Sequence, residues 1–159
     1  MTVAQLMPWI GGPVKFEAGL SPLVCPIDET VASQIIESDA KVVDAAVKQF
    51  GALHVLVNNA GVVQICTPES CTLEQFRFQN SVMSEGVFLG CHTAIPAMKA
   101  SGGGSIINVS SIASHLGYPV YFAYSAAKGA VRAMTKSIAV HCQTNKYNIR
   151  CNSIHPGAI

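Results

Sequence analysis

Apolar residues recur with two different periods along this chain, and the alternation of those periods predicts the fold. From Ser38 onward, Val42, Val43, Ala46, Val47 and Phe50 fall at helical spacing. Ser38 supplies an N-cap to that helix and Gly51 a C-terminal stop. Leu53 to Val57 is a short apolar run of strand length. Thr72-Leu73-Glu74-Gln75 reads as a capping box opening a long helix that reaches about Lys99, with Pro96 expected to kink or end it. The turn Ser101-Gly102-Gly103-Gly104 leads into a buried strand, Ser105 to Val109. A loop over 110–121 precedes a helix from about Phe122 to His141, and Ile149 to Ile154 is a third strand. Strands alternating with helices at these lengths predict a parallel sheet with right-handed crossovers, an α/β fold.

Upstream the pattern is less regular. Pro8, Gly11, Gly12, Pro13, Gly19, Pro22 and Pro26 interrupt any long element. Val14 to Glu17 alternates over one short stretch, and Val31 to Ile36 fits either a helix or a strand. The expected organisation is an irregular leader over 1–37 and one domain over 38–159, with no internal repeat.

Composition adds several constraints. The 159 residues suffice for one domain with a core. Half are hydrophobic and only 12% charged, which suits strands buried on both faces of a sheet. A net charge of +1 offers no electrostatic attraction to nucleic acid or an acidic membrane surface. No run approaches the ~18 apolar residues of a membrane span. The N-terminus shows no basic stretch followed by an apolar core and a cleavage site. The six cysteines, Cys25, Cys66, Cys71, Cys91, Cys142 and Cys151, make no C-x-x-C pair and match no zinc spacing. They read as reduced thiols of a cytoplasmic protein, with Cys66 and Cys71 sharing one loop where a bridge is conceivable. The histidines His54, His92, His115, His141 and His155 do not group at ligand spacing, so no metal is expected; His115 is the one expected near a substrate.

The candidate chemistry lies in Tyr124-Ser125-Ala126-Ala127-Lys128, with Ser111 upstream. Tyrosine and lysine four apart share a helix face. A neighbouring cation favours the phenolate, which can take a proton from an alcohol or return one to a ketone. A serine hydroxyl can bond the same substrate oxygen as its charge changes. Tyr118 and Tyr121 compete for the tyrosine role but have no lysine four residues on, and Ser110 competes with Ser111. Alone, the Tyr–Lys spacing is weak, since many solvent-facing helices carry it. Three further segments strengthen it: Asn58-Asn59-Ala60-Gly61 after the first apolar run, Ser105 to Ser111 after the glycine turn, and Ile149 to Gly157.

With these four motifs in this order, the chain over roughly 38–159 resembles the short-chain dehydrogenase/reductase family. The resemblance implies a doubly wound parallel sheet, Rossmann-like, and reversible oxidation of a secondary alcohol to a ketone with NAD or NADP. It implies Tyr124 as acid/base and Ser111 as the group holding the substrate oxygen. Lys128 would favour the phenolate and bond the nicotinamide ribose. Asn58, Asn59, Ala60 and Gly61 would line the adenosine-ribose side, and Pro156, Gly157 and Ile159 the nicotinamide side. The substrate is expected to be a small apolar alcohol or ketone, met by Leu116, Tyr118 and Val120. Small residues along the tyrosine helix, Ala123 to Ala130, suit close packing against the sheet or a homo-oligomer, as relatives often pair through this helix and the one before it.

Departures from the family pattern are equally plain. The phosphate loop T-G-x-x-x-G-x-G is absent, so the sheet is expected to be incomplete and to lack the N-terminal glycine-rich βαβ unit, with an exposed edge beside Leu53 to Val57. Met83 stands where the family usually has an asparagine that holds a water beside the lysine; Asn80, one turn earlier, is the only nearby substitute. Relatives also continue past the last motif. Two readings follow: an oxidoreductase, or a non-catalytic, oligomerising remnant that binds dinucleotide poorly.

Overall fold

Three parallel strands carry the fold: β1 (Val55–Asn58), β2 (Gly104–Val109) and β3 (Ile149–Ile154), side by side in that order. The structure is a computed structural model and describes residues 43–157. Leu56 pairs with Ile106 and Ile106 with Cys151; two residues on, Asn58 pairs with Asn108 and Asn108 with Ser153. Because side chains alternate along a strand, these two rows share one face. The rows starting at Val55 and Val57 point the other way.

The helices are α1 (43–50), α2 (Leu73–Asn80), α3 (Gly86–Ala100) and α4 (Phe122–Thr144). Val87, Cys91, Ala94 and Met98 of α3 and Val131 and Cys142 of α4 pack with Ile106, Ile149 and Cys151 of the sheet. Met98 and Ile106 are wholly buried, each worth roughly 1.5–3 kcal/mol of transfer energy. Val55 and Val57 remain 55% and 48% exposed. Burial on both faces was expected; among the described residues α3 and α4 both pack on the Ile106 side, as crossovers of one hand between successive neighbours require.

The helix expected from Thr72 to Lys99 is interrupted. Thr72 and Gln75 form the capping box, each side chain meeting the other's backbone N–H at 3.1 and 3.0 Å. A π-turn over Ser81–Glu85 then separates α2 from α3. Gln79, Met83, Val87 and Cys91 are all buried, each four residues beyond the last. Steps of four drift by about 40° each around an α-helix, and the wider turn takes up part of that drift. Pro96 does not end α3, which runs on to Ala100. Both Pro96 and His92 are exposed, so the carbonyl that loses its partner faces water. The first strand begins later than its apolar run, because the Leu53 N–H is taken by the Ser101 hydroxyl at 3.0 Å. Gly51 (φ 79°) is the expected stop, its N–H bonded to Val47 O at 2.8 Å. The expectations at Val14–Glu17, Val31–Ile36, Ser38 and Cys25 lie outside the described residues.

A buried polar chain ties the layers together. Asn58 Nδ2 donates to Asn108 Oδ1 at 2.8 Å, Asn108 Nδ2 to Thr135 Oγ1 at 2.9 Å, and Thr135 Oγ1 to Val131 O at 2.8 Å. It runs from β1 through β2 to α4. Gly90 lets α3 approach β1 here; a Cβ at that position would collide with Asn58 Oδ1. Cys66 and Cys71 are both free thiols, and the neighbouring Cys66 thiol pushes that of Cys71 up to about 11. Burial pushes Cys91 up to about 11 and Cys151 up to about 12, so both serve as small apolar residues. No described helix is long and apolar enough to cross a membrane.

Asn108→Ala removes the centre of the polar chain and leaves the Asn58 amide only the weak acceptor Cys91 Sγ at 3.4 Å. We expect a loss of about 2–4 kcal/mol in denaturant unfolding; a loss below about 0.5 kcal/mol would show that the chain does not hold the layers together.

Candidate active site

β2 delivers its last residues to the C-terminal end of the sheet, where open parallel sheets bind ligands. Ser110 continues the ladder, its N–H meeting Ile154 O at 2.9 Å, and its hydroxyl donates to Lys128 O at 2.9 Å. Ser110 is therefore committed. Ser111 caps the short 3-10 turn Ile112–Ser114, its Oγ accepting from Ala113 N at 3.2 Å. Its own hydroxyl proton stays free to be donated. Of the two serines, Ser110 alone spends its hydroxyl proton on a protein acceptor among the described residues.

The start of α4 is held by an isolated parallel bridge between Cys66 and Tyr121, with Cys66 N on Val120 O at 3.0 Å and Phe122 N on Cys66 O at 3.2 Å. Ala123 and Ala127 are fully buried, which seats the helix closely. Tyr124 is half-buried and Lys128 only 4% exposed. Lys128 Nζ donates to Val109 O at 2.6 Å and lies 5.8 Å from the Tyr124 ring centroid. Burial lowers the lysine's pKa from its ordinary value. The Tyr118, Tyr121 and Tyr124 rings follow one another at 5.9 and 6.2 Å between centroids. The Tyr124 hydroxyl makes no hydrogen bond among the described residues.

The loop after β1 comes to the same place. A Cβ on Gly61 would lie 3.6 Å from Lys128 Nζ and 3.7 Å from Met83 Sδ. Asn59, Ala60 and Gly61 are exposed. Asn58 is half-buried, and its side chain turns inward onto Asn108 of the neighbouring strand. Asn80 differs from expectation, because its Nδ2 donates to Phe76 O at 2.9 Å within its own helix. It does not take over the place of Met83, which is 1% exposed. Leu116 and Val120 are 56% and 39% exposed, whereas Ile159 lies outside the described residues. Pro156 O accepts from Ile112 N at 3.1 Å, tying the turn at Pro156–Gly157 to the turn at Ser111.

Sequence reasoning overlooked two residues. Gln79 clamps the loop, accepting from Gln64 N at 3.0 Å and donating to Gln64 O at 3.3 Å. Its position four before Met83 on an apolar face was the available signal. The His155 ring contacts the Ser111 turn, with Nδ1 3.2 Å from Ser111 O. The strand register signals it, since Val109 pairs with Ile154. His115 is exposed and stands edge-on to His155 at 4.6 Å; burial and then Arg132 lower its pKa. A separate groove lined by Cys142, Lys146, Arg150 and Cys151 opens at the other end of the strands, away from these groups.

The family model for short chain dehydrogenases matches residues 25–159. The chain belongs to the short-chain dehydrogenase/reductase family. It is 46% identical over 123 residues to trans-4-hydroxycyclohexanecarboxylate dehydrogenase of Sinomonas cyclohexanicum, covering 77% of this chain and 46% of that protein. It is 44% identical over 120 residues to the NADP-dependent (R)-specific alcohol dehydrogenase of Lentilactobacillus kefiri, covering 75% and 48% respectively. The crystal structure of acetoin dehydrogenase from Salmonella typhimurium superposes with a TM-score of 0.69 at 34% identity, over 75% of this chain and 47% of that one. The short-chain dehydrogenase/reductase chain described here thus spans about half the length of the curated relatives it matches.

The lysine's burial gives a stability prediction. Folded Lys128 holds its proton less tightly than the unfolded chain does. Between its lowered pKa and 10.5 the unfolded state binds more protons, so this residue's contribution to stability rises with pH across that interval. Lys128→Met should raise the thermal midpoint at neutral pH, by an amount equivalent to roughly 0.5–2 kcal/mol, and remove that alkaline rise. A midpoint below wild type would contradict the assignment of a costly buried ammonium.

Proposed function

We propose that this chain carries the catalytic end of an NAD(P)-dependent dehydrogenase interconverting a secondary alcohol and a ketone. The observation that supports this most is the Lys128 ammonium at the C-terminal end of the sheet, 5.8 Å from the Tyr124 ring, facing Gly61 and bonded to Val109 O two residues before Ser111. Two features fit a dinucleotide. An ammonium has three donors, and among the described residues that of Lys128 uses one, on Val109 O. Asn59, Ala60 and Gly61 are exposed around it, and even a Cβ at Gly61 would meet only ordinary contacts. A bound nicotinamide would supply the hydride carrier.

In this reading Tyr124 takes the hydroxyl proton of the alcohol during oxidation and returns it to the ketone oxygen during reduction. Ser111 donates its free proton to the same oxygen. Lys128 sets a positive charge beside the phenol and offers its remaining donors to the cofactor's ribose. Asn59, Ala60 and Gly61 border the dinucleotide, Asn58 bracing them from below, with Pro156, Gly157 and Ile159 on the nicotinamide side. The substrate is a small apolar alcohol or ketone lying against Leu116, Tyr118 and Val120; the names of the two relatives support a small alcohol. Exposed Leu73, Phe88 and Phe122 on α2, α3 and α4 support a homo-oligomer formed through those helices. The free cysteines accord with a cytoplasmic setting.

A second reading keeps the fold and drops the chemistry. The motif T-G-x-x-x-G-x-G is absent from the sequence, and the Met83 thioether beside Lys128 hydrogen-bonds poorly. Two measurements separate the readings. Tyr124→Phe is expected to lower turnover of a secondary alcohol by at least about 10²-fold while leaving the fold intact; unchanged turnover would refute the acid/base role. Calorimetric titration of the 159-residue chain with NAD and NADP is expected to give weaker than micromolar binding, and micromolar affinity would overturn the second reading.

A further inference from the structure

We propose that His155 is a positioning residue that fixes the turn presenting Ser111. This rests on the reading of Ser111 as the hydroxyl that meets substrate. His155 follows directly on β3, and its half-buried ring reaches across to the turn after β2. Nδ1 lies 3.0 Å from Ser114 Oγ and 3.2 Å from Ser111 O; Nε2 lies 2.9 Å from Ser153 Oγ.

The protonation pattern follows by elimination. Ser114 has one hydroxyl proton, and it is donated to Ser111 O at 2.7 Å. Both groups facing Nδ1 therefore present lone pairs, so Nδ1 carries the hydrogen. Nε2 is left to accept the hydroxyl of Ser153. Both ring nitrogens are thereby engaged, which makes His155 a brace rather than a base.

The brace acts on one carbonyl. Ser111 O receives Ser114 N at 3.0 Å, Ser114 Oγ at 2.7 Å and His155 Nδ1 at 3.2 Å. That fixes the peptide plane after Ser111, whose N–H, that of Ile112, bonds Pro156 O at 3.1 Å, and it anchors the start of the turn in which the next N–H, that of Ala113, bonds Ser111 Oγ. Arg132 holds the far end of the turn, donating to Ser114 O at 3.3 Å. The serine hydroxyl is thus aimed by β3 as well as by its own strand.

The test compares His155→Asn, which retains a donor near the Nδ1 position, with His155→Leu, which has none. In the wild-type chain, ¹⁵N NMR of the imidazole should show the Nδ1–H tautomer. Amide exchange at Ala113 should quicken about tenfold or more in His155→Leu and return to within a few-fold of wild type in His155→Asn, with Ile106 and Val131 unchanged in both. Where turnover is measurable, kcat should fall about tenfold in His155→Leu with KM little changed, and recover in His155→Asn. An Nε2–H tautomer, unaltered Ala113 exchange in His155→Leu, or failure of His155→Asn to restore it would overturn the proposal. The tautomer result decides it even should His155→Leu not fold. The tautomer and exchange measurements need no catalysis, so an inactive wild type would count against the oxidoreductase reading alone.

Discussion

A buried ammonium resting on the last carbonyl of β2 holds the candidate site together. Lys128 Nζ reaches Val109 O from the second turn of a helix whose small residues let it sit close. The arrangement is costly, because burial disfavours the charge and one hydrogen bond does not replace full hydration. Its consequence is geometric. With the lysine anchored to β2, its ammonium lies 5.8 Å from the ring of the tyrosine one turn earlier and faces Gly61 of the loop after β1. An apolar residue at position 128 would suit packing better and would leave the cleft without charge.

Around that anchor, two polar devices convert the register of the strands into the placement of a hydroxyl. The Asn58–Asn108–Thr135 chain locks β1, β2 and α4 at one level of the sheet. One level higher, His155 and Ser114 lock the turn beyond β2 to the end of β3. Buried polar groups of this kind tolerate few alternatives, since each unpaired member costs the desolvation of its donor or acceptor. They favour one alignment of three strands that apolar packing alone would specify less sharply.

Much of this was legible in the chain. The period change around Leu53 and Ser105, the capping box at Thr72 and the Tyr–Lys spacing are local signals, and local physics placed β3 and the start of α4 correctly. What escaped was long-range. The π-turn at Ser81–Glu85 answers to a buried stripe that repeats every four residues, which matters only once the helix lies on a sheet. The pairing of Asn58 with Asn108 has no local signal, because the two residues lie on different strands. The part played by His155 was hidden because its three contacts are visible only with β3 beside β2. Pro96 read as a break because its exposed position on α3 depends on how the helix is rolled against the sheet.

The most direct test of this picture is the titration of Lys128 itself, followed by ¹⁵N NMR of a chain labelled at lysine. A buried ammonium held on Val109 O should lose its proton below the ordinary value of 10.5, and its signal should change when Val109 carries a ¹³C-labelled carbonyl. A lysine that titrates at or above 10.5, with no coupling to that carbonyl, would contradict the arrangement on which the site depends.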